Sequence, residues 1–330
     1  MFLLRNRFLK PNLAQKNKMK TFKKIIAATL ILVIFSLIGG YFYFEKKFTP
    51  PENHLKVSGF TAHVPMMCDS NDENPCHAIY LPVRIKGIDK IFYMQLDSGS
   101  PVTLLYRNSL ESIRTKFRDQ IQLDNGQTEM AVHFNIGEMT VSSAHFEVLN
   151  YGNQVEFDHA NAVNIIGTIG TDLFEKRIVV MDFKNSCCSF EKDLQENGFE
   201  KFEFRKRKIL IPATLENKNL KLLYDSGSSG YELITNKEEW EKYRTPNGNI
   251  KKENGNSWGN LLTAISAPAN HTMKIGGSAI KLSEVTRVEG TSQVQNLLMK
   301  ASGMQGMIGN KLFLNHKLIL DCKNEKFKVE

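Results

Sequence analysis

Between residues 80 and 183 apolar and polar positions alternate in short runs. YLPVRIKG (80–87), KIFYMQLD (90–97), MAVHF (130–134), EMTVSSAHFEVL (138–149) and RIVVMDF (177–183) alternate or are rich in β-formers, and Gly, Asn or Asp bounds them. Such runs predict strands. Helical periodicity is confined to RNSLESIRTKF (107–117) and NKEEWEKY (236–243), with helical turns near DLFEK (172–176) and KLFLN (311–315). Trp240 is expected to pack the second short helix. Asn125-Gly126 and Asn254-Gly255 predict hairpin turns. The chain is therefore expected to be mostly β.

The pattern is written twice. QLDSGSPVTLL (95–105) and LYDSGSSGYEL (223–233) both place Asp-Ser-Gly-Ser behind an apolar run. A given Asp-[Ser/Thr]-Gly-[Ser/Thr] match should occur at roughly one in 10⁴ positions under ordinary residue usage. Gly137 is followed 33 residues later by Gly170, and Gly276 likewise by Gly309; Asp182 and Asp321 each follow 12 residues after that. Gly126 and Gly255 lie 29 and 30 residues beyond Asp97 and Asp225. About ten extra residues in the second half, around NSWGNLLTAISAPAN, read as a loop insertion. Two homologous lobes are expected, 72–198 and 207–330, joined by 199–206. The join FEKFEFRKRK alternates apolar and charged residues, as an edge or bridging strand with one solvated face does.

Charge changes the picture at one end only. The 330 residues carry a net charge of +8, with 42% hydrophobic and 24% charged residues. Eight Lys/Arg and no acid precede residue 25, and the rest is neutral. The excess is a tail (1–24) rather than a basic groove, so a nucleic-acid partner is excluded. The uncharged stretch IIAATLILVIFSLIGGYFYF (25–44) is long enough to span a bilayer. Its length and the lack of a small-x-small cleavage site predict an anchor rather than a cleaved signal peptide. Tyr41 and Tyr43 suit the interface, and the basic tail places the N-terminus in the cytoplasm. A linker (45–71) would then hold the rest outside the cytoplasm, periplasmic if the cell is Gram-negative. The five cysteines all follow residue 45, where disulfides persist. Cys68 and Cys76 bracket a polar loop and suit a local bridge. Cys187-Cys188 and Cys322 lie at corresponding strand ends, where an inter-lobe bridge and plain burial both stay open.

An Asp at the end of a buried strand, followed by a glycine turn, presents a carboxylate at a lobe surface. Two such lobes related by a pseudo-two-fold axis bring two carboxylates together. The pair then shares a proton; one member acts as base toward water while the other donates to a substrate carbonyl.

The two Asp-Ser-Gly-Ser turns, the later segments IGTDLF and IGNKLF, and VNIIG (163–167) resemble the pepsin/retropepsin superfamily of aspartic proteases over about residues 75–330. The resemblance implies two β-barrel-like lobes with a cleft between them, and a single-chain monomer needing no cofactor or metal. It implies catalytic roles for Asp97 and Asp225. Ser98 and Ser226 would interlock the turns, Gly99 and Gly227 would allow close approach, and Ser100 and Ser228 would bond the outer carboxylate oxygens. Asn125 and Gly126 fall where a flap tip would lie. The chain departs from the pattern in having no Trp after the first motif, no Tyr near Asn125, and Tyr224 where an aliphatic residue is commoner. Trp258 could anchor a substrate loop or simply pack one. The expected function is a membrane-anchored aspartic endopeptidase acting on extracytoplasmic peptide or protein substrates, with the bilayer engaged through 25–44. The alternative is a catalytically silent peptide-binding module on the same scaffold.

Other signals are weaker. Gly167-x-x-Gly170 lacks the Lys-Ser/Thr of a phosphate loop. His133, His145, His159, His271 and His316 show no ligand spacing, and a zinc site from His63, Cys68, Cys76 and His77 matches no common finger pattern. Asn270-His-Thr is a glycosylation pattern, relevant only on a eukaryotic secretory route.

Overall fold

A computed structural model describes residues 49–330 apart from 70–75, 77, 125, 160–161, 195–196, 258–259 and 292–302, and ahead of them only Gly40, Tyr43, Glu45 and Lys46. The chain divides into two units, residues 1–50 and 51–330. In the first, the Thr49 hydroxyl donates to the Glu45 carbonyl at 2.6 Å. The expected anchor lies outside the described residues but for Gly40 and Tyr43. Among the described residues no helix is long and apolar enough to cross a membrane.

The second unit is mostly β and contains two closed six-stranded rings. In the first ring Ala78–Ile85 pairs with Phe92–Leu96, then in order come Ile165–Ile169, Leu104–Tyr106, Met139–Leu149 and Glu129–Ile136, which returns to Ala78–Ile85. In the second, Lys208–Leu215 pairs with Lys218–Tyr224, followed by Gly306–Ile308, Leu233–Thr235, Ser278–Glu289 and Asn260–Ile275, which returns to Lys208–Leu215. Parallel pairs fall at the same two places in each ring. Closure removes free edges and lets period-2 sequences fill an interior. Glu129–Ile136 shows this period, with Met130, Val132, Phe134 and Ile136 buried and Glu129, Ala131 and His133 exposed.

Each ring carries one helix directly after its third strand in chain order, Leu104–Tyr106 in the first and Leu233–Thr235 in the second. Helix α1 (Arg107–Lys116) buries Ser109, Leu110 and Ile113 and places Arg114 and Lys116 in its last turn, where cations suit the helix dipole. Helix α2 (Lys237–Tyr243) is capped by the Asn236 side chain, which accepts from the Glu239 amide at 3.0 Å. Trp240 is buried in it, its indole N–H donating to the Val285 carbonyl.

A six-stranded sheet joins the rings, in the order Glu200–Lys201, Lys326–Val329, Lys317–Asp321, Ile178–Asp182, Cys187–Glu191, Thr61–Pro65. At its centre Val180, two residues before Asp182, pairs with Ile319, two residues before Asp321. Equivalent positions of the repeat thus face one another across a local two-fold. The turns that follow also match. Asp182 accepts from the Asn185 amide and side chain, and Asp321 from those of Asn324. The repeated Asp-x-Lys-Asn (182–185 and 321–324) was there in the sequence as a signal of this turn.

Several expectations need correction. The stretch taken for a linker, 45–71, supplies three strands from residue 56 onward: Lys56–Ser58, Thr61–Pro65 and Met67–Asp69. Asn254-Gly255 is not a turn; both lie inside the strand Lys251–Ser257, opposite Thr263 and Leu262. The ten-residue surplus of the second half is therefore an extra hairpin on the ring, not an irregular loop. The join 199–208 splits into Glu200–Lys201 and Glu203–Arg205, which enter different sheets. No bridge links Cys187 or Cys188 to Cys322; all three are free. Cys187 sits opposite Asp182, whereas Cys322 follows the Asp321–Ile178 pair at the other end of the same strand. That separates them by about 13 Å at the rise of a strand.

Candidate functional site

The two Asp-Ser-Gly-Ser turns meet between the rings. Leu96 and Tyr224 end equivalent strands, and the Asp that follows each is held by its own amide, donating to Ile169 O from Asp97 and to Ile308 O from Asp225, both at 3.0 Å. The turns close in the same way, Ser100 N to Asp97 O and Ser228 N to Asp225 O, both at 3.1 Å.

The serines after each Asp bond across the lobes. The Ser98 amide donates to Ser226 Oγ and the Ser226 amide to Ser98 Oγ, both at 2.8 Å. The Ser98 hydroxyl donates on to Tyr224 O at 3.0 Å and the Ser226 hydroxyl to Leu96 O at 2.8 Å. All four bonds are buried, with Ser98 2% and Ser226 0% exposed, so water competes with none of them.

The glycines are required by proximity. A Cβ on Gly99 would lie 2.5 Å from Asp225 Oδ1, and one on Gly227 would lie 2.5 Å from Asp97 Oδ1. Each glycine amide donates to its own aspartate, Gly99 at 2.8 Å and Gly227 at 2.9 Å. Behind the turns Gly170 and Gly309 leave no room for a Cβ against the backbone of Val102 and of Ser228.

Each carboxyl lies against the other turn, within about 3 Å of where a Cβ on the opposite glycine would sit, and each bears on the protonation of the other. Burial, then the neighbouring Asp225 charge, push Asp97 up to about 6, against the pull of the Gly99 and Ser100 amides. Burial also raises Asp225, while the Ser228 hydroxyl, the Gly227 and Ser228 amides and the Asp97 carboxyl beside it act the other way. A half-buried pair this close favours one proton shared between two carboxyls over two full charges.

The serines at the fourth position of each motif part company. Ser228 Oγ donates to Asp225 Oδ2 at 3.1 Å. Ser100 Oγ does not reach Asp97 as the sequence led us to expect; it donates to Val102 O at 2.7 Å. Proline at 101 replaces Ser229, and the chain turns so that the nearer acceptor is a carbonyl. Tyr224 also finds its reason here: its hydroxyl donates to Asn310 Oδ1 at 2.6 Å and lies 3.3 Å from Met181 Sδ of the other lobe. Asn310 in turn donates to Ser226 O and to Ser229 Oγ.

Other expected residues are more peripheral. Gly126 sits at φ +79°, but among the described residues no strand ends just before it, and the hairpin expected there is not seen. Asn125 and Trp258 lie outside the described residues. Cys68 and Cys76 are joined by a disulfide, which leaves no thiolate for zinc. Among the described residues no group of His, Cys, Asp and Glu could hold a metal ion.

Sequence reasoning missed the residues that brace the first turn. Asp172 accepts from the Thr103 amide at 2.8 Å and hydroxyl at 2.6 Å. Tyr106 is buried and bonded to Thr168 Oγ1 at 2.6 Å; burial raises its phenol, and the Asp97 charge adds to that. The only sequence hint was that polar residues interrupt otherwise apolar strands. No protein-family model matches the chain, and no curated protein sequence matches it.

Proposed function

We propose that the chain is an aspartic endopeptidase, cutting peptide bonds with a water activated between Asp97 and Asp225. One observation carries this: two half-buried carboxyls, each set against the other's turn, at the crossing of two equivalent turns whose glycines leave no room for a side chain. A singly ionised pair supplies a base for the water and an acid for the substrate carbonyl oxygen. The water's oxygen adds to the carbonyl carbon while its proton passes to the ionised carboxylate. The protonated carboxyl gives its proton to the carbonyl oxygen. As the tetrahedral diol collapses, one of its hydroxyls gives its proton to the ionised carboxylate, the C–N bond breaks, and the proton of the other carboxyl goes to the departing amine. The pair returns to its starting state with no covalent enzyme intermediate.

The basic tail and the apolar stretch 25–44 support an anchored enzyme with residues after 45 outside the cytoplasm. The Cys68–Cys76 disulfide suits that compartment. The short connection to the anchor favours membrane-associated or newly exported substrates.

The test incubates full-length protein with a diverse peptide mixture from acidic to neutral pH and reads cleavage by mass spectrometry, beside Asp97→Asn and Asp225→Asn. Internal cleavage lost in both variants is the expected result. A folded wild-type protein that binds peptides without cutting them at any pH would make the chain a binding module instead.

A further inference from the structure

The short connection between the lobes ends in Lys206 and Arg207, both with positive φ, 50° and 58°. They turn the chain from Glu203–Arg205 into Lys208–Leu215. Left-handed backbone favours Gly or Asn, and arginine there needs a compensating contact. Arg207 is only 5% exposed. Its Nε donates to Glu175 Oε1 at 2.7 Å and its Nη1 to Pro101 O at 3.1 Å. Its own carbonyl accepts from Thr171 Oγ1 at 2.7 Å, and the same hydroxyl lies 3.0 Å from Ser100 O. Glu175 is held from its other oxygen by Asn53 Nδ2 at 2.8 Å, which also reaches Asp172 O. Asp172 binds Thr103. A residue at the threshold of the second lobe is therefore wired to three residues, Ser100, Pro101 and Thr103, that follow Asp97 in the first. In the second lobe the corresponding turn is braced by neutral groups, Asn310 and Tyr224.

We propose that Arg207 is a positioning residue that fixes the Asp97 turn against the second lobe, so that the two carboxyls keep their mutual geometry. The proposal rests on the proteolytic function proposed above. Arg207 touches neither carboxyl. Its guanidinium acts through the Pro101 carbonyl and through Glu175, while its backbone carbonyl meets Thr171, which bonds Ser100 O; the side-chain contacts hold the loop whose amides, at Gly99 and Ser100, face Asp97. Without that hold the amides drift from the carboxylate, and a carboxylate that loses donors becomes easier to protonate. The groups bearing on Asp97 are Asp225 and the Tyr106 phenol; those on Arg207 are Glu175 and, more distantly, Asp172.

Arg207→Gly is the informative variant, because glycine suits the left-handed turn and the fold should survive. Arg207→Lys keeps the charge but loses the planar fork, and Glu175→Gln keeps the shape but loses the charge. In full-length protein, with folding checked by near-UV circular dichroism and thermal midpoint, Arg207→Gly is expected to lower kcat by roughly ten- to a hundredfold with KM nearly unchanged, as misplacement of a reacting group does. The acid limb of the kcat/KM profile should move to higher pH, and Arg207→Lys should restore part of both. A folded Arg207→Gly protein with wild-type kcat and an unmoved acid limb would overturn the proposal. A ¹³C-carboxyl NMR titration of the aspartate pair gives a readout that needs no substrate. If wild type proves unable to cut peptides, the protease reading fails; an upward shift of the pair's titration in Arg207→Gly would still uphold the positioning role, and an unchanged titration would refute it.

Discussion

The two Asp-Ser-Gly-Ser turns share a sequence and a main-chain geometry yet are braced differently. Around Asp225 the neighbours are neutral: Ser228, Asn310, Tyr224 and Ser229 form a closed set of hydrogen bonds. Around Asp97 the bracing is ionic, from Arg207, Glu175 and Asp172, and Ser100 has turned away. At the crossing itself the side chains that serve both lobes at once are the same in both. Ser98 and Ser226 each satisfy the other's backbone, and Gly99 and Gly227 each make room for the other's carboxylate. Changing either member harms both turns. A brace that touches only one turn can diverge as long as it holds that turn still.

The comparison breaks most completely at the carboxyls. Asp97→Asn or Asp225→Asn should each lower peptide cleavage by about 10³-fold or more, since each removes an acid–base partner; a variant with substantial turnover in the mass-spectrometric assay would end the symmetric mechanism. Gly99→Ala and Gly227→Ala should come next, with losses of at least about a hundredfold in either lobe, because the added Cβ displaces the opposite carboxylate. Unequal losses from these two would show that the crossing is less symmetric than its geometry.

Stability gives the next contrast. Ser226→Ala leaves the Ser98 amide and the Leu96 carbonyl buried without partners, and should cost about 2–4 kcal/mol in equilibrium urea unfolding. Ser100→Ala, losing one local bond, should cost less than about 1 kcal/mol. Ser228→Ala, in contrast, should raise the Asp225 carboxyl and move the acid limb of the activity profile upward, whereas Ser100→Ala should leave it in place. Equal shifts from both would contradict the divergence of the two serines.

Proton linkage makes a smaller and slower test. Asp97 binds its proton more tightly folded than unfolded, up to about 6 from 3.8. Its contribution to stability is therefore full below about pH 4 and is lost as pH rises through about 6. The loss is of order 2–3 kcal/mol. Asp97→Asn should remove much of this slope, so that the variant unfolds at higher urea than wild type at pH 7 but not at pH 4. The smallest effect on the fold should come from the extra hairpin. Its strand Lys251–Ser257 lies outside the closed ring, and Glu253 on it meets the Tyr231 hydroxyl at 3.4 Å, six residues beyond Asp225. Replacing 256–261 with Asn-Gly should change unfolding by less than about 1 kcal/mol while raising KM for peptides.

Much of this was legible in the sequence because it depends on local pattern. The period-2 runs gave the long strands of the first lobe nearly to the residue, whereas the longest strand, Asn260–Ile275, lay mostly in the stretch read as a loop insertion; both helices were found, and the paired motifs marked where the lobes meet. What was illegible depends on partners far along the chain. Leu104–Tyr106 is three residues long and becomes a strand only through its neighbours Ile165–Ile169 and Met139–Leu149. Asn254-Gly255 carries a strong turn signal, but its pairing with Leu262 and Thr263 outweighs it and moves the turn beyond Ser257. Arg207 was read as part of a solvated face because charged residues alternate there. The left-handed turn reverses the direction of its side chain, and no periodicity encodes that. Ser100 was misjudged because a hydroxyl takes the best-placed acceptor, and the backbone path after Pro101 decides which one that is.

The pairing of Val180 with Ile319 has an evolutionary and an engineering consequence. A strand that lies antiparallel against its own repeat equivalent is self-complementary, as in the contact that joins identical subunits about a two-fold axis. One lobe produced alone therefore carries half of an isologous interface and has a ready route to a homodimer with two copies of one motif. Fusing the copies makes assembly intramolecular, at an effective concentration in the millimolar range for a short connection. The aspartate pair then no longer depends on how much protein is present, and each half is free to acquire its own brace.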